Sequence, residues 1–171
     1  MAALHESAVT LRIGGDALEP DEVSRSLGCQ PSFAFAKGDI KLSKRRPIVR
    51  IVRKSGMWAL NATKHQPADL DAQIAEIFSR LPADLAVWAK LGKEFDMDIF
   101  CGFWMRETDE GMTVSVETMK VLSDRGIRLG FCVYAPLPDE EAEVQPSAAP
   151  NGGPAPQPGT SGATEEPPSV N

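Results

Sequence analysis

Basic side chains are concentrated in one short stretch of this chain of 171 residues. Residues 37–54 hold eight of the 18 lysines and arginines and a single acidic residue, Asp39, so eight positive charges against one negative give a local charge of +7. Such a density raises the local potential and can hold phosphates, an acidic protein surface or an acidic segment of the same chain. The residues that we predict to form this binding site are Lys37, Lys41, Arg45, Arg46, Arg50 and Arg53.

A structural interpretation competes with binding and is the more common role of a charged run. Residues 39–46 would then form a solvated loop, and the charges on the following strand would keep a sheet edge from associating. The nearby aromatic residues are Phe33, Phe35 and Trp58, and we assign all three to the core. Because this leaves no ring for bases to stack on, nucleic acid is the least favoured of the possible partners.

Groups suited to catalysis are few. His5 lies near the start of the chain and His65 in a polar stretch, so neither is well placed to activate a nucleophile. Asp96 and Asp98 point to one strand face, where two carboxylates could hold a cation, but such a pair is more often the solvated start of a strand. We therefore predict no catalytic residue, cofactor or metal site. The alternative of a small enzyme rests on a carboxylate or a thiol: Asp16, Asp96, Asp98 or Cys101.

The chain has the features of a cytoplasmic protein. Cys29, Cys101 and Cys132 include no pair at the spacing typical of redox or zinc motifs, which favours reduced core thiols. No apolar run approaches the roughly 18 to 20 residues of a membrane span. The first nine residues lack the basic and apolar regions of an export signal.

The last 35 residues differ from the rest in composition. Residues 137–171 hold eight of the 14 prolines, six acidic residues and no basic one, so 18 basic and 18 acidic residues remain in residues 1–136. A segment with so few apolar side chains cannot offset its ordering cost of about 1–2 kcal/mol per residue. We predict a single α+β domain at residues 1–136 and a disordered acidic tail, rich in proline and glycine, at residues 137–171.

Apolar periodicity and capping residues predict the elements of the domain in the order β-α-β-β-β-α-α-β-α-β. A tight turn at residues 54–56 predicts a hairpin between the third and fourth strands. The apolar run 99–105 predicts a central strand covered on both faces, with Trp104 packed under a helix. The predicted strands are 9–13, 33–36, 48–53, 57–61, 99–105 and 127–133, and the predicted helices are 20–27, 67–81, 84–95 and 115–125.

This order predicts an α+β fold with a mixed, mainly antiparallel sheet of about six strands and helices packed on one face. Residues 9–36 and 97–135 each contain a strand, a short capped helix and a second strand. We interpret them as two degenerate β-α-β halves, as in ferredoxin-like or ACT-like sandwiches, with right-handed crossovers.

The chain contains several short motifs that point to one family. They are Leu11-Arg12-Ile13, Asp16, Pro20-Asp21-Glu22-Val23, Leu27-Gly28, Lys37-Gly38-Asp39, Gly56-Met57-Trp58-Ala59-Leu60 and Leu129-Gly130-Phe131-Cys132-Val133-Tyr134. Together they resemble the bacterial domain of unknown function 4279. The resemblance covers residues 8–136 and implies a small bacterial domain without an assigned reaction, cofactor or catalytic residue.

The functional hypothesis from the sequence is a cytoplasmic, non-enzymatic module that binds an anionic ligand or an acidic partner protein through the basic hairpin. An immunity-like or accessory protein is one alternative, and the small enzyme is the other.

Overall fold

The computed structural model of the chain describes residues 2–42 and 49–136. None of its helices is long and apolar enough to cross a membrane. The strands are β1 (Ala2–Ala3), β2 (Glu6–Gly15), β3 (Phe33–Phe35), β4 (Ile40–Leu42), β5 (Arg50–Val52), β6 (Gly56–Asn61), β7 (Asp96–Trp104), β8 (Glu110–Gly111) and β9 (Arg128–Tyr134). The helices are α1 (Pro20–Leu27), α2 (Leu70–Ser79), α3 (Leu85–Glu94) and α4 (Val116–Asp124).

Five strands form a mixed sheet in the order β3-β6-β2-β7-β9. The central strand, β2, is antiparallel to both of its neighbours, β3 is antiparallel to β6, and β7 is parallel to β9. All four helices contribute buried residues to one core on one side of this sheet. The predicted α+β class, the mixed sheet and the one-sided helices are thus confirmed.

Local sequence explains where the helices begin and end. Proline occupies the first turn of α1, and Gly28 ends that helix at φ 62°, a left-handed conformation that favours glycine. The Ser115 hydroxyl accepts a hydrogen bond from the Thr118 amide and so caps α4. Asp69 and Asp84 cap α2 and α3 in the same way.

The core is anchored by two tryptophans that are fully buried. The Trp58 indole donates a hydrogen bond of 3.0 Å to the Ser24 hydroxyl, and the Trp88 indole donates one of 2.9 Å to the Pro82 carbonyl. Both polar groups are therefore satisfied while the rings contribute apolar area. The assignment of Trp58 to the core is confirmed.

The predicted β-α-β halves are both present, in unequal form. In β7-α4-β9 the two parallel strands are direct neighbours. In β2-α1-β3 the strands are also parallel to each other, because both are antiparallel to β6, which lies between them. A separate parallel pairing of β1 with β8 connects the start of the chain to the turn after β7.

Two predictions for individual strands were wrong. The run 99–105 forms most of β7, but β2 is the central strand and the helices cover only one face of β7. The predicted strand 48–53 contributes β5, which pairs with β4 in a separate ribbon rather than with β6, so the main sheet has five strands. The three residues of β4 fall in the stretch predicted to be a loop.

Candidate binding surface

One face of the five-stranded sheet is not covered by any helix of the described residues, and we call it the open face. Along β2, Val9, Leu11 and Ile13 point into the core, whereas the alternate residues Thr10 and Arg12 point to the open face and are half-buried. Strand geometry dictates this, since successive side chains leave opposite faces of a sheet. The open face is therefore the side of the sheet that can meet a ligand or partner.

A single row of side chains crosses the open face from edge to edge. The strand register aligns Phe33, Ala59, Arg12, Asp98 and Arg128 on successive strands. Aromatic, cationic and anionic groups thus lie side by side on the open face. Phe33, which we predicted to be a core residue, is 45% exposed in this row.

The centre of the row is an ion pair between Arg12 and Asp98. Arg12 Nε donates to Asp98 Oδ1 at 2.8 Å and Arg12 Nη2 donates to Asp98 Oδ2 at 2.7 Å. The hydrogen bonds to Asp98 raise the pKa of Arg12 above its ordinary value. The same guanidinium lies 4.3 Å above the centre of the Phe100 ring. Each oxygen of Asp98 accepts a hydrogen bond from Arg12, so the negative charge of this carboxylate is paired within the domain.

The next row contains a second cation above an aromatic ring. The guanidinium of Arg53 lies 3.9 Å from the centre of the Phe35 ring, so Phe35 is also on the open face and not in the core. Nearby, Lys37 Nζ donates to Asp16 Oδ2 at 2.6 Å. This hydrogen bond and the lysine charge lower the pKa of the exposed Asp16 carboxyl.

Two open clefts share Phe35 and Arg53 as a common wall. The first has a volume of about 600 Å³ and is lined in part by Arg12, Asp16 and Asp96. The second has a volume of about 630 Å³ and is lined in part by Phe33 and Lys41. The Arg53–Phe35 pair therefore lies where the open face of the sheet meets strands β4 and β5.

The paired strands β4 and β5 form a two-stranded ribbon, which we call the basic ribbon. Every residue of both strands is exposed. The register pairs Ile40 with Val52 and Leu42 with Arg50, so these side chains share one face of the ribbon. Lys41 pairs with Ile51 on the other face. The ribbon therefore exposes apolar and cationic groups together.

The structure brings part of the predicted site together. Lys41 and Arg53 line the same cleft, Arg50 lies on the ribbon, and Lys37 is held by Asp16. Within residues 2–42 and 49–136, no carboxylate lies within ion-pair distance of Lys41, Arg50 or Arg53. Arg45 and Arg46 lie outside the described residues. That these six residues form a binding site stays a prediction.

An aromatic pair, Trp104 and Tyr134, occupies the far end of the open face. Trp104 does not pack under a helix. Its indole stacks on Tyr134 with ring centres 5.1 Å apart, and Lys64 Nζ lies 4.6 Å from the indole centre. A side chain at Gly102 would come within 3.0 Å of the indole, so this glycine makes room for the ring. The alternation of β7 indicates this placement, because Trp104 shares its parity with Asp96 and Asp98.

The groups considered for catalysis are poorly placed for it. Cys101 is fully buried on the helix side, and burial, together with the charge of Asp98, raises the pKa of its thiol to about 12. A thiol with that pKa is almost entirely protonated near neutral pH and is a weak nucleophile. Asp96 accepts a hydrogen bond from Arg128 at 3.1 Å. Among the described residues, no three histidine, cysteine or acidic side chains cluster closely enough to hold a metal ion.

Comparison with known families agrees with the resemblance of the sequence motifs. The model of the family described as "Domain of unknown function (DUF4279)" matches residues 5–136. The chain belongs to this family. No curated protein and no solved structure matches the chain significantly. The DUF4279 match spans the five-stranded sheet, the four helices and the basic ribbon.

Proposed function

We propose that this DUF4279 protein is a non-enzymatic, cytoplasmic binding module, and that its basic ribbon and the adjoining Arg53–Phe35 pair bind an acidic partner protein. The observation that supports this most is the exposure of apolar and basic side chains together on the ribbon. Ile40, Leu42 and Val52 are 51%, 59% and 58% exposed. They flank Lys41 and Arg50 in a structure where no residue of either strand is buried.

Contiguous exposed apolar groups of this kind often mark an interaction surface, since a soluble protein gains nothing from keeping them in water. All six residues of the ribbon are exposed, although Ile40 and Lys41 line a cleft together with Phe33 and Phe35 of β3. A partner that supplies apolar side chains would cover the aliphatic groups. Carboxylates on the same partner would meet Lys41, Arg50 and Arg53.

A protein partner explains the surface better than a small anion does. The first cleft is lined by three cations, Arg12, Arg53 and Lys54, and by three carboxylates, Asp16, Asp96 and Asp98, so it has no excess of positive charge. A small anion bound at the ribbon would leave its aliphatic side chains exposed. The ribbon also carries no aromatic side chain on which a nucleobase could stack.

An accessory or immunity-like role is one form of the same proposal, since both act through a protein partner. The enzyme alternative has less support. Cys101 is sealed in the core, and both oxygens of Asp98 are held by Arg12.

The proposal can be tested with defined acidic probes and the full-length protein. Fluorescence polarisation would measure binding of a labelled peptide of alternating glutamate and leucine across a range of salt concentrations. We expect binding that weakens with salt. The variant Lys41→Ser/Arg50→Ser/Arg53→Ser should bind about tenfold more weakly, if each charge contributes about 0.5 kcal/mol. A glutamate–serine peptide measures how much apolar contacts contribute to the affinity. The parent should bind it more weakly than the glutamate–leucine peptide.

A matched control removes the same amount of charge far from the ribbon. Lys90→Ser/Lys93→Ser/Arg106→Ser replaces three exposed basic residues of α3 and of the turn after β7. This variant should bind like the parent, and both variants should keep the parent's melting temperature. If both variants weakened binding equally, binding would depend only on the net charge of the protein, and the proposal would be overturned. Stronger binding of a DNA duplex than of either peptide would assign the ribbon to nucleic acid instead.

A further inference from the structure

Among the described residues, strand β9 is an edge of the sheet and lacks the features that usually protect an edge. It has seven residues, and its only charged residue is Arg128 at its start. Edge strands are commonly shielded by lysines, prolines or a covering element. No described strand or helix pairs with the outer side of β9.

The backbone of β9 shows which residues offer hydrogen bonds outward. The Tyr134 carbonyl accepts a hydrogen bond of 3.0 Å from the Met105 amide, so the polar groups of Tyr134 point toward β7. Backbone groups alternate in direction along a strand. Phe131 and its alternate neighbours, Leu129 and Val133, therefore present their amides and carbonyls to the free edge.

The side chains of these residues are apolar; Leu129 is partly buried against the core, whereas Phe131 and Val133 are exposed. Phe131 and Val133 are 53% and 58% exposed on the helix side of the sheet. One face of the Phe131 ring stacks on Phe103 with centres 5.4 Å apart. The neighbouring helix α4 exposes Met119 on the same side of the domain. An unpaired backbone and an apolar strip thus coincide along one edge.

We propose that a second copy of this chain pairs with this edge, strand β9 to strand β9, antiparallel and centred on Phe131. A two-fold axis at Phe131 places each Phe131 across from its counterpart, with the hydrogen bonds that their outward groups can form. The two five-stranded sheets then join into one continuous sheet. In this register Leu129 lies opposite Val133, so the apolar side chains of both copies form one cluster.

Charge favours a second copy in this antiparallel arrangement. The pairing sets Arg128 of one copy opposite Tyr134 of the other, a cation beside an aromatic ring, and keeps the two Arg128 side chains about six residues, or roughly 20 Å, apart. The acidic residues 137–171, with a charge of −6, follow β9 directly in the sequence. Antiparallel pairing keeps the two Tyr134 residues, from which the chains continue toward these acidic residues, roughly 20 Å apart, whereas parallel pairing would place them side by side.

This inference does not depend on the proposed function, because β3 and the neighbouring Arg53 mark the opposite edge of the sheet. Both basic ribbons remain accessible in the paired form.

Sedimentation equilibrium of the full-length protein tests the pairing. We expect the parent to double its mass with rising concentration and Phe131→Lys/Val133→Lys to stay monomeric, since lysine on a strand edge opposes association. Both residues are exposed, so the variant should fold. The matched control Phe33→Lys changes an exposed phenylalanine at the opposite edge and should still dimerise. A monomeric parent, or a dimeric Phe131→Lys/Val133→Lys variant, would overturn the proposal.

A cross-link tests the register. Gly130 would lie opposite Cys132 of the second copy as a non-hydrogen-bonded pair, with Cα atoms about 4.5 Å apart, which suits a disulfide. A β-carbon at Gly130 comes no closer than 3.9 Å to another heavy atom, so the site accepts a cysteine. Gly130→Cys should form a covalent dimer on oxidation, whereas Leu129→Cys should not. A cross-link with Leu129→Cys but not with Gly130→Cys would contradict this register.

Discussion

The two sides of the five-stranded sheet carry different kinds of side chain. On β2, Leu11 and Ile13 have no exposed surface, whereas the Arg12 side chain between them is one-third exposed and paired with Asp98. On β2 and β7 the helix side is mainly apolar and covered. The open face carries cations above aromatic rings, at Arg12–Phe100, Arg53–Phe35 and Lys64–Trp104.

This difference shows that a single strand contributes both to the core and to the open face. Alternate residues of β2 and β7 either stabilise the domain or form the open face, so a substitution one position along the chain should change a different property. The following predictions test that division, from the largest expected effect to the smallest.

The largest expected difference between the two sides is in the reaction rates of their cysteine thiols. Cys101 faces the core and Cys132 faces the open side. In a Cys29→Ser background, a maleimide should modify Cys132 at least about 10³-fold faster than Cys101, because Cys101 reacts only after an opening that costs a large part of the folding free energy. Mass spectrometry of the labelled peptides measures both rates. Similar rates would show that the helix side is not closed.

Two neighbouring residues of β7 should differ in their effect on stability. Ile99→Ala removes a fully buried side chain and should lower the free energy of unfolding by about 2–5 kcal/mol. Phe100→Ala, on the open face, should cost about 1 kcal/mol or less. Urea denaturation of the two variants provides the comparison. A larger loss for Phe100→Ala would mean that the open face is covered.

A pH-dependent contribution to stability is expected on the helix side. The Asp71 carboxylate accepts hydrogen bonds of 3.2 Å from the Ser115 amide at the start of α4. Burial would raise its pKa, but the hydrogen bonds from Thr118 and Ser115 outweigh burial and lower it below 3.8. The contribution is therefore fully present above pH 3.8 and is lost as the pH falls through the lowered pKa.

Asp71→Asn should accordingly lower the free energy of unfolding by about 1–2 kcal/mol at pH 7. Urea denaturation should show a smaller difference between parent and variant at pH 3. A difference that stays constant with pH would assign the effect to packing rather than to the charge.

The ion pair of the open face should contribute less than a buried group. A double-mutant cycle with Arg12→Met and Asp98→Asn should give a coupling free energy of about 1 kcal/mol, because both side chains are partly exposed. Added salt should reduce it. A coupling that does not respond to salt would indicate that the pair is shielded from solvent.

The basic ribbon should have the smallest effect on stability. Ile40→Ser/Leu42→Ser replaces two side chains that are each more than half exposed, and the free energy of unfolding should change by less than about 0.5 kcal/mol. Thermal and urea denaturation measure this. A large loss would show that the ribbon is part of the core rather than a surface for a partner.

Much of the fold could be predicted because its signals are local. The caps at Ser115 and Gly28 and the alternation at residues 9–13 depend on neighbouring residues alone, and the corresponding elements are present. Strand pairing could not be predicted in the same way. The choice of β4 rather than β6 as the partner of β5 depends on contacts that the sequence pattern of residues 48–53 does not contain.

The candidate site could be predicted only in part, because only its charge density is a local signal. Charge density identified Lys41 and Arg53, which line one cleft. The aromatic residues of the site were missed, because Phe33, Phe35 and Trp104 were assigned to buried positions on the strength of their apolarity. An aromatic side chain fits either side of a sheet, and a cation above its ring lets it remain half-exposed.

The sequence by itself determined the four helices and most of the strands, the cationic stretch and the fact that adjacent residues of β7 leave opposite faces, because these follow from residue type and the period of the backbone. The tertiary structure decided which of those faces the helices cover, which strands are neighbours and which edge is left open. These depend on contacts between residues far apart in the chain, such as Arg12 and Asp98, whose pairing no local pattern specifies.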